Sequence, residues 1–245
     1  MRQEKMKNHS LVVAVMTFLS MTSAADAKYS GGTGEPNDPY RIATAEDLND
    51  IGNHLEDFDK HFILVNDVNL ADYTGMQFKI IGRWIYYYDP NNRPFVGVFD
   101  GNDNAIWNFT LNSDSRDCVG LFGYLGEGGV IKNLGLENVD INVVNGIWVG
   151  SLVVFNGGGT INNCYSTGMV SAATFVGGLV GENEEGTITN CYSLGSVSGE
   201  NEVGGLVAVN SLGTITDSYS TGSVSGSMHV GGLVGYSYQG AITGC

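Results

Sequence analysis

Four stretches fix the reading of this chain: Val149–Asn156 is VGSLVVFN, Val176–Asn183 is VGGLVGEN, Val203–Asn210 is VGGLVAVN and Val230–Ser237 is VGGLVGYS. Each runs into a second block: GTINNCYSTG, GTITNCYSLG, GTITDSYSTG, and AITGC at the end of the chain. The spacing is 27 residues at every step, without insertion or deletion. Leu152, Leu179, Leu206 and Leu233 share one position, and Ile161, Ile188, Ile215 and Ile242 another. Cys164, Cys191, Ser218 and Cys245 share a third. Such strict spacing implies copies that stack, each resting on the one before.

The repeat is rich in Val, Ile, Thr, Tyr and Gly, which are strand and turn residues. The period is too short for a propeller blade, and the LxxLxL core of a leucine-rich repeat is missing. Three strands of about five residues with three turns fit the length. The expected fold is therefore all-β: a right-handed parallel β-helix with stacked positions roughly 4.8 Å apart. The strands are expected to centre on GLVG, TITNCYS and SVSG, with glycine at the corners for its freedom at positive φ. Val176/Val203/Val230, the leucines, the isoleucines and Val170/Val197/Val224 should face inward. Asn163, Asn190 and Asp217 read as a turn ladder, because Asn tolerates left-handed geometry.

Residues 1–27 read as a secretory signal. Arg2, Lys5 and Lys7 precede the apolar run Leu11–Met21, and Ala25-Asp26-Ala27 suits cleavage before Lys28. An uncleaved N-terminal anchor is the alternative. No later stretch is long and apolar enough to span a bilayer. Residues 28–116 read as an N-terminal cap with irregular first coils, and residues 117–245 as the repeats. Thr44 followed by Asp47 resembles a capping box, with Asp in place of the usual Glu, ahead of Leu48, Ile51 and Leu55 at helical spacing, so one short capping helix is expected from about Ala45 to Leu55. Phe62–Leu70 reads as the first strand, Gly75–Trp84 as a short apolar piece, and Phe95–Leu111 as two strands around Asp100-Gly101-Asn102. The copy from Val119 is 30 residues from Val149, with Leu134 at the cysteine position.

The net charge is −15. Setting aside Arg2, Lys5, Lys7, Glu4 and Asp26 of the signal leaves 8 basic residues against 24 acidic, and none of the basic ones follows Lys132. Such a surface repels phosphate backbones and anionic lipids, which argues against nucleic-acid binding.

VGGLVGENEEGTITNCYSLGSVSG resembles the GLUG-motif repeats of bacterial exported proteins, and GEPNDPYRIATAEDLNDIG with FVGVFDGNDNAIWNFTL resembles the region that precedes them. The resemblance implies a β-helical solenoid of the kind found in adhesin-like proteins and immunoglobulin A-cleaving metallopeptidases. It implies no catalytic residues in the repeat itself, and the HExxH segment of such a peptidase does not occur in this sequence.

Candidate site residues are few. Tyr165, Tyr192 and Tyr219 form a file that either binds sugar rings or only stacks on itself; self-stacking is favoured. Trp84, Tyr86, Tyr87 and Tyr88 offer a loop patch that either binds or packs over the cap. Asp100, Asn102 and Asp103 give a weak calcium alternative, since Ala105 replaces the expected glycine and Leu111 the final acid; a turn is favoured. No other metal and no cofactor is expected. Cys164 and Cys191, one coil apart with parallel Cβ vectors, are expected as inward thiols, with no disulfide. Glu182, Glu184, Glu185, Glu200 and Glu202 read as solvated corners. The expected function is an exported, non-catalytic scaffold, secreted or at the cell surface, that binds glycans or surface proteins. The alternatives are a carbohydrate-active β-helix enzyme using Asp100 or Asp103, or part of a larger surface protein or peptidase. The last copy stops at Cys245 after 16 residues, so its open end is expected to meet another chain or further repeats.

Overall fold

The computed structural model describes residues 28–74, 77–114 and 118–245. The expected signal, residues 1–27, lies outside the described residues, as does the start of the expected Gly75–Trp84 piece.

The chain winds as a parallel β-solenoid. One regular coil contains the strand Thr174–Gly177, a corner at Gly178-Leu179, the strand Val180–Glu184, and a long face made of Thr187–Thr189, Tyr192–Ser193 and Ser196–Ser198. All three faces pair in parallel with the coils on either side. Val149, Val176, Val203 and Val230 are successive partners, as are Val153, Val180, Val207 and Val234, and Ile161, Ile188, Ile215 and Ile242. The Leu152 N–H donates to the Leu179 carbonyl, Leu179 to Leu206, and Leu206 to Leu233, each at 2.9 Å. The leucines thus form one vertical file, and Leu152, Leu179 and Leu206 are fully buried. In the last coil Val230 and Ile242 are 44% and 43% exposed, because no coil covers them.

GLVG is not a strand centre. Gly178 and Leu179 make the corner between two strands, and the leucine points inward from that corner. The corner glycines are not chosen for positive φ either, since Gly177, Gly178, Gly204 and Gly205 have none. They are there because backbones stack closely: a Cβ on Gly178 would lie 2.2 Å from the Gly205 carbonyl oxygen, and one on Gly205 2.0 Å from that of Gly232. The left-handed positions fall instead on Asn163, Asn190 and Asp217, as expected, and on Glu185, Leu212 and Gln239 at the next turn.

The long face continues into the front segment. Tyr40–Ile42 pairs with His61–Leu64, that strand with Val98–Asp100, and that one with Val130–Val143. Phe62 and Phe99 therefore extend the isoleucine file through Ile131 and Ile161. The first strand is Tyr40–Ile42, not Phe62–Leu70, which divides into His61–Leu64 and Val68–Asn69. Phe95–Leu111 likewise holds pieces of three strands, Val98–Asp100, Ala105–Trp107 and Thr110–Ser113.

Helix α1 spans Ala45–Ile51 and buries Leu48 and Ile51 on the first rung. Its capping box is complete: Thr44 Oγ1 accepts from the Asp47 N–H at 3.1 Å, and Asp47 Oδ2 accepts from the Thr44 N–H at 3.1 Å. The helix ends earlier than expected, and a separate 3₁₀ turn covers Leu55–Asp57 with Leu55 exposed. At Gly52 the chain near Lys79 crosses so closely that a Cβ would lie 2.3 Å from the Lys79 carbonyl oxygen. The C-cap at Gly52 makes room for that crossing, which a side chain there would block.

Candidate functional site

The segment Arg83–Arg93 leaves the solenoid and folds back on it. Arg83 and Arg93 exchange backbone hydrogen bonds of 2.7 and 2.9 Å, closing the base of the loop. Inside it, Asn92 Oδ1 accepts from the Ile85 N–H at 2.8 Å, and Asn92 Nδ2 donates to the Tyr86 carbonyl at 2.8 Å. One Asn side chain thus ties both arms together.

The loop lies against the outer side of two sheet faces rather than over the cap. Trp84 stacks on Phe155 at 3.8 Å and 6°, and Tyr87 and Tyr124 meet the same pair edge-on. Phe155 points outward from the strand Val153–Gly157, yet it is 2% exposed because the loop covers it. A small apolar cluster thus forms outside the tube. Trp148 stacks on Phe175 one coil along, at 7°, and reaches the loop through Tyr86.

Glu182 sits beneath this cover. It lies in the strand Val180–Glu184 and is 6% exposed, so it is not a solvated corner. The Tyr87 hydroxyl donates to its Oε1 at 2.5 Å. Burial raises the Glu182 pKa above the ordinary carboxylate value; the Tyr87 hydrogen bond opposes that shift, and the nearby Glu184 charge adds to it. Glu184 is also raised, by burial and by Glu185.

Two concavities flank the loop. A groove of about 350 Å³ is lined by Trp84, Tyr87, Tyr88, Asp89, Asn92 and Glu184, among others. A larger cleft of about 610 Å³ lies beside it, and Trp84 lines both. Of the four loop aromatics singled out from the sequence, Trp84 is buried, Tyr87 half-buried, Tyr86 58% exposed and Tyr88 99% exposed.

The tyrosine file lies elsewhere, on the long face. Tyr165, Tyr192 and Tyr219 stack at 5.0 Å intervals with their planes 3° and 6° apart. The Tyr165 hydroxyl donates to Glu137 Oε1 at 2.6 Å, and its ring lies over Gly135, where a Cβ would lie 2.4 Å from it. The structure does not bring this file together with the loop aromatics.

Asp100 is already committed within the fold. Its Oδ1 accepts from the Asn102 N–H at 2.8 Å and from Asn133 Nδ2 at 3.0 Å, while Lys132 Nζ lies 3.0 Å from Oδ2. Burial alone would raise its pKa, but these contacts outweigh it and hold the carboxyl below its usual value. Asn102 and Asp103 take positive φ, as turn residues do. His54, Glu56 and Asp57 bring potential ligand atoms within 4.8 Å of one another. The Lys28 ammonium occupies that position, 2.5 Å from Asp57 and 3.2 Å from Glu56.

Cys164 and Cys191 are buried and stacked; the Cys164 N–H donates to Cys191 Sγ at 3.4 Å, and the Cys191 N–H donates to Ser218 Oγ at 3.1 Å. The position calls for a small side chain that accepts from the coil beside it, which explains why Ser218 substitutes there. Burial pushes the Cys164 thiol up.

With this geometry in place, comparison with known proteins adds what the repeats are similar to. The profile of the GLUG motif matches residues 173–198 and 199–225. Residues 173–225 are GLUG motifs. Each GLUG coil begins at the turn before the strand that carries Val176 or Val203 and ends with the strand that carries Val197 or Val224. Halomucin of Haloquadratum walsbyi is 33% identical over 140 residues, covering 57% of this chain and 2% of its own length. A "Putative Gly-rich membrane protein" of Evansella cellulosilytica is 34% identical over 156 residues, covering 62% and 17%. The chain thus spans a small part of the curated relatives it matches. Among solved structures, a "putative immunoglobulin A1 protease" from Bacteroides ovatus superposes with a TM-score of 0.68 at 26% identity, over 87% of this chain and 66% of that one.

Proposed function

We propose that this chain is an exported, non-catalytic repeat scaffold that binds saccharides at a cell surface, through the aromatic groove beside the loop Arg83–Arg93. The observation that carries this reading is the pairing of Tyr88, 99% exposed at the rim, with Glu184 and Asp89 in the lining. An aromatic face beside carboxylates is the chemistry that holds a sugar, with ring stacking on one side and hydroxyl donors met on the other. Burial of Trp84 on Phe155 makes the floor rigid, which lowers the entropy cost of binding. The relatives named as halomucin and as a membrane protein are compatible with a surface setting. The tyrosine file stabilises the stack and takes no ligand.

The test is a glycan array with the intact protein and a Tyr88→Ala variant. Binding that weakens in the variant supports the proposal; an empty array removes it.

One observation favours a second reading, a carbohydrate-active enzyme. Glu182 and Glu184 lie on one face of one strand, and both are shifted toward the protonated form, as a general acid requires. Turnover of a polysaccharide that disappears in Glu184→Gln would establish it; binding without turnover favours the scaffold.

A further inference from the structure

The larger cleft holds Lys79, Arg83 and Arg93. The remaining lysines and arginines among the described residues each stand on a carboxylate: Lys28 on Asp57 and Glu56, Arg41 on Asp38, Lys60 on Glu35, and Lys132 on Asp100. In the cleft no described carboxylate lies within ion-pair distance of the three cations, although the chain carries a net charge of −15. Among the described residues, neutralisation of each lysine and arginine, the rule elsewhere, stops at this one place.

The two arginines are not scattered surface charges. Arg83 and Arg93 are direct antiparallel partners that exchange both backbone hydrogen bonds. Directly opposed residues of such a pair project to the same side, with Cα atoms about 5.5 Å apart. Like charges in that relation repel and cost stability. Arg93 is also held in place, its Nη1 donating to the carbonyls of Pro90 at 3.0 Å and Asn92 at 2.7 Å. Its other side-chain donors make no hydrogen bond among the described residues. Trp84 forms a wall shared with the aromatic groove, and its indole N–H is buried without a hydrogen-bond partner.

We propose that this cleft binds the carboxylate of an acidic saccharide, a uronate or a sugar acid of similar charge. The proposal rests on the saccharide-binding reading above and adds the charge preference and its residues. Paired guanidinium groups suit a carboxylate, which they grip through parallel N–H···O bonds. A volume of about 610 Å³ accommodates a sugar ring rather than a bare ion. Leu55 and Ile85 supply apolar walls, and Asn91 an amide. The acidic surroundings disfavour extended polyanions such as nucleic acid or a lipid surface, but admit a ligand whose few charges meet the cations directly.

Calorimetric titration of the intact protein tests this with three probes: a trisaccharide of galacturonic acid, its neutral methyl ester, and a glutamate-rich peptide. The acid should bind at least about tenfold more tightly than the ester, the effect of one or two charge-assisted bonds. Arg83→Gln should abolish that preference, weakening the acid by about tenfold more than the ester, with its thermal unfolding unchanged as a control on folding. Tyr88→Ala should weaken acid and ester alike. Equal binding of acid and ester, or a preference that survives in both Arg83→Gln and Arg93→Gln, overturns the cleft and leaves the groove standing. No binding of either saccharide overturns both. Peptide binding as tight as the acid's, with the same dependence on Arg83, would overturn the saccharide assignment in favour of an acidic protein partner.

Discussion

The side-chain amide of Asn183 donates to Asn210 Oδ1 at 2.8 Å, one coil along, and Asn183 Oδ1 accepts the same bond from Asn156 at 2.7 Å. None of the three side chains is exposed. Each amide also donates to a glycine carbonyl three residues on, Gly159, Gly186 or Gly213, at 3.1–3.2 Å. The glycines are required there: a Cβ on Gly186 would lie 2.1 Å from Asn156 Nδ2, and one on Gly213 2.1 Å from Asn183 Nδ2. A buried polar file of this kind fixes the register of the coils, because a shifted pairing would leave amides without partners.

Removing the middle of that file should cost more than removing its end. Asn183→Ala strands the Asn156 amide and the Asn210 carbonyl oxygen, and at about 1–3 kcal/mol for each buried group the expected loss is about 3 kcal/mol or more. Asn156→Ala should cost about half as much, since Asn156 Oδ1 has no partner to lose. Urea unfolding at constant m-value measures both. Equal losses would mean the amides do not act as a connected file.

A stabilising change is available at Leu212, whose φ is +56° and whose side chain is 46% exposed. Gly158 holds the equivalent place two coils earlier, at φ +84°. Relief of left-handed strain, about 1–2 kcal/mol, less the added chain entropy of glycine, leaves a gain of up to about 1 kcal/mol for Leu212→Gly. Thermal unfolding should shift upward by a few degrees; a downward shift would mean the Leu212 side chain contributes more by packing than its backbone costs.

The Glu182 carboxyl makes stability depend on pH in a defined direction. Its folded pKa is raised above 4.5, mainly by burial. A carboxyl raised on folding favours the fold below its unfolded pKa, and that contribution is lost as pH rises through the folded value. Stability should therefore decline from about pH 4.5 upward on this account. Glu182→Gln keeps an acceptor for the Tyr87 hydroxyl and removes the decline. Denaturant titrations across that range should give a flatter curve for the variant; parallel curves would refute the assignment.

The tyrosine file should respond as a stabilising stack. Tyr192→Ala breaks two ring contacts and Tyr219→Ala one. At about 0.5–1.5 kcal/mol for each stacked pair, Tyr192→Ala should be the more destabilising of the two. Saccharide affinity should not change in either, as titration with the trisaccharides would show. A lost affinity with unchanged stability would make the file a binding surface.

The fold was largely legible because a strict period exposes every inward file at once. Ile188 and Val203 lie where their repetition put them, and Thr44 with Asp47 announced the helix start. The helix end was not legible, because it depends on the crossing at Lys79, a contact from another part of the chain. The repeated N-x-x-G-T of Asn156, Asn183 and Asn210 was visible, yet in one dimension a buried amide file looks like an exposed turn. Of the site, the loop aromatics could be named from sequence but their floor could not. Phe155 and Glu182 occupy outward strand positions, and only the loop laid over them makes them buried. The opposition of Arg83 and Arg93 likewise arises from a two-residue bridge that no periodicity announces.

Amide NMR of the intact protein during saccharide titration tests the central claim most directly, that ligand is taken at the loop and not along the repeats. The account predicts perturbations confined to residues 79–94 and their floor at Tyr124, Phe155 and Glu184, with Tyr165, Tyr192 and Tyr219 unmoved. Perturbations that follow the tyrosine file, with the loop silent, would contradict it.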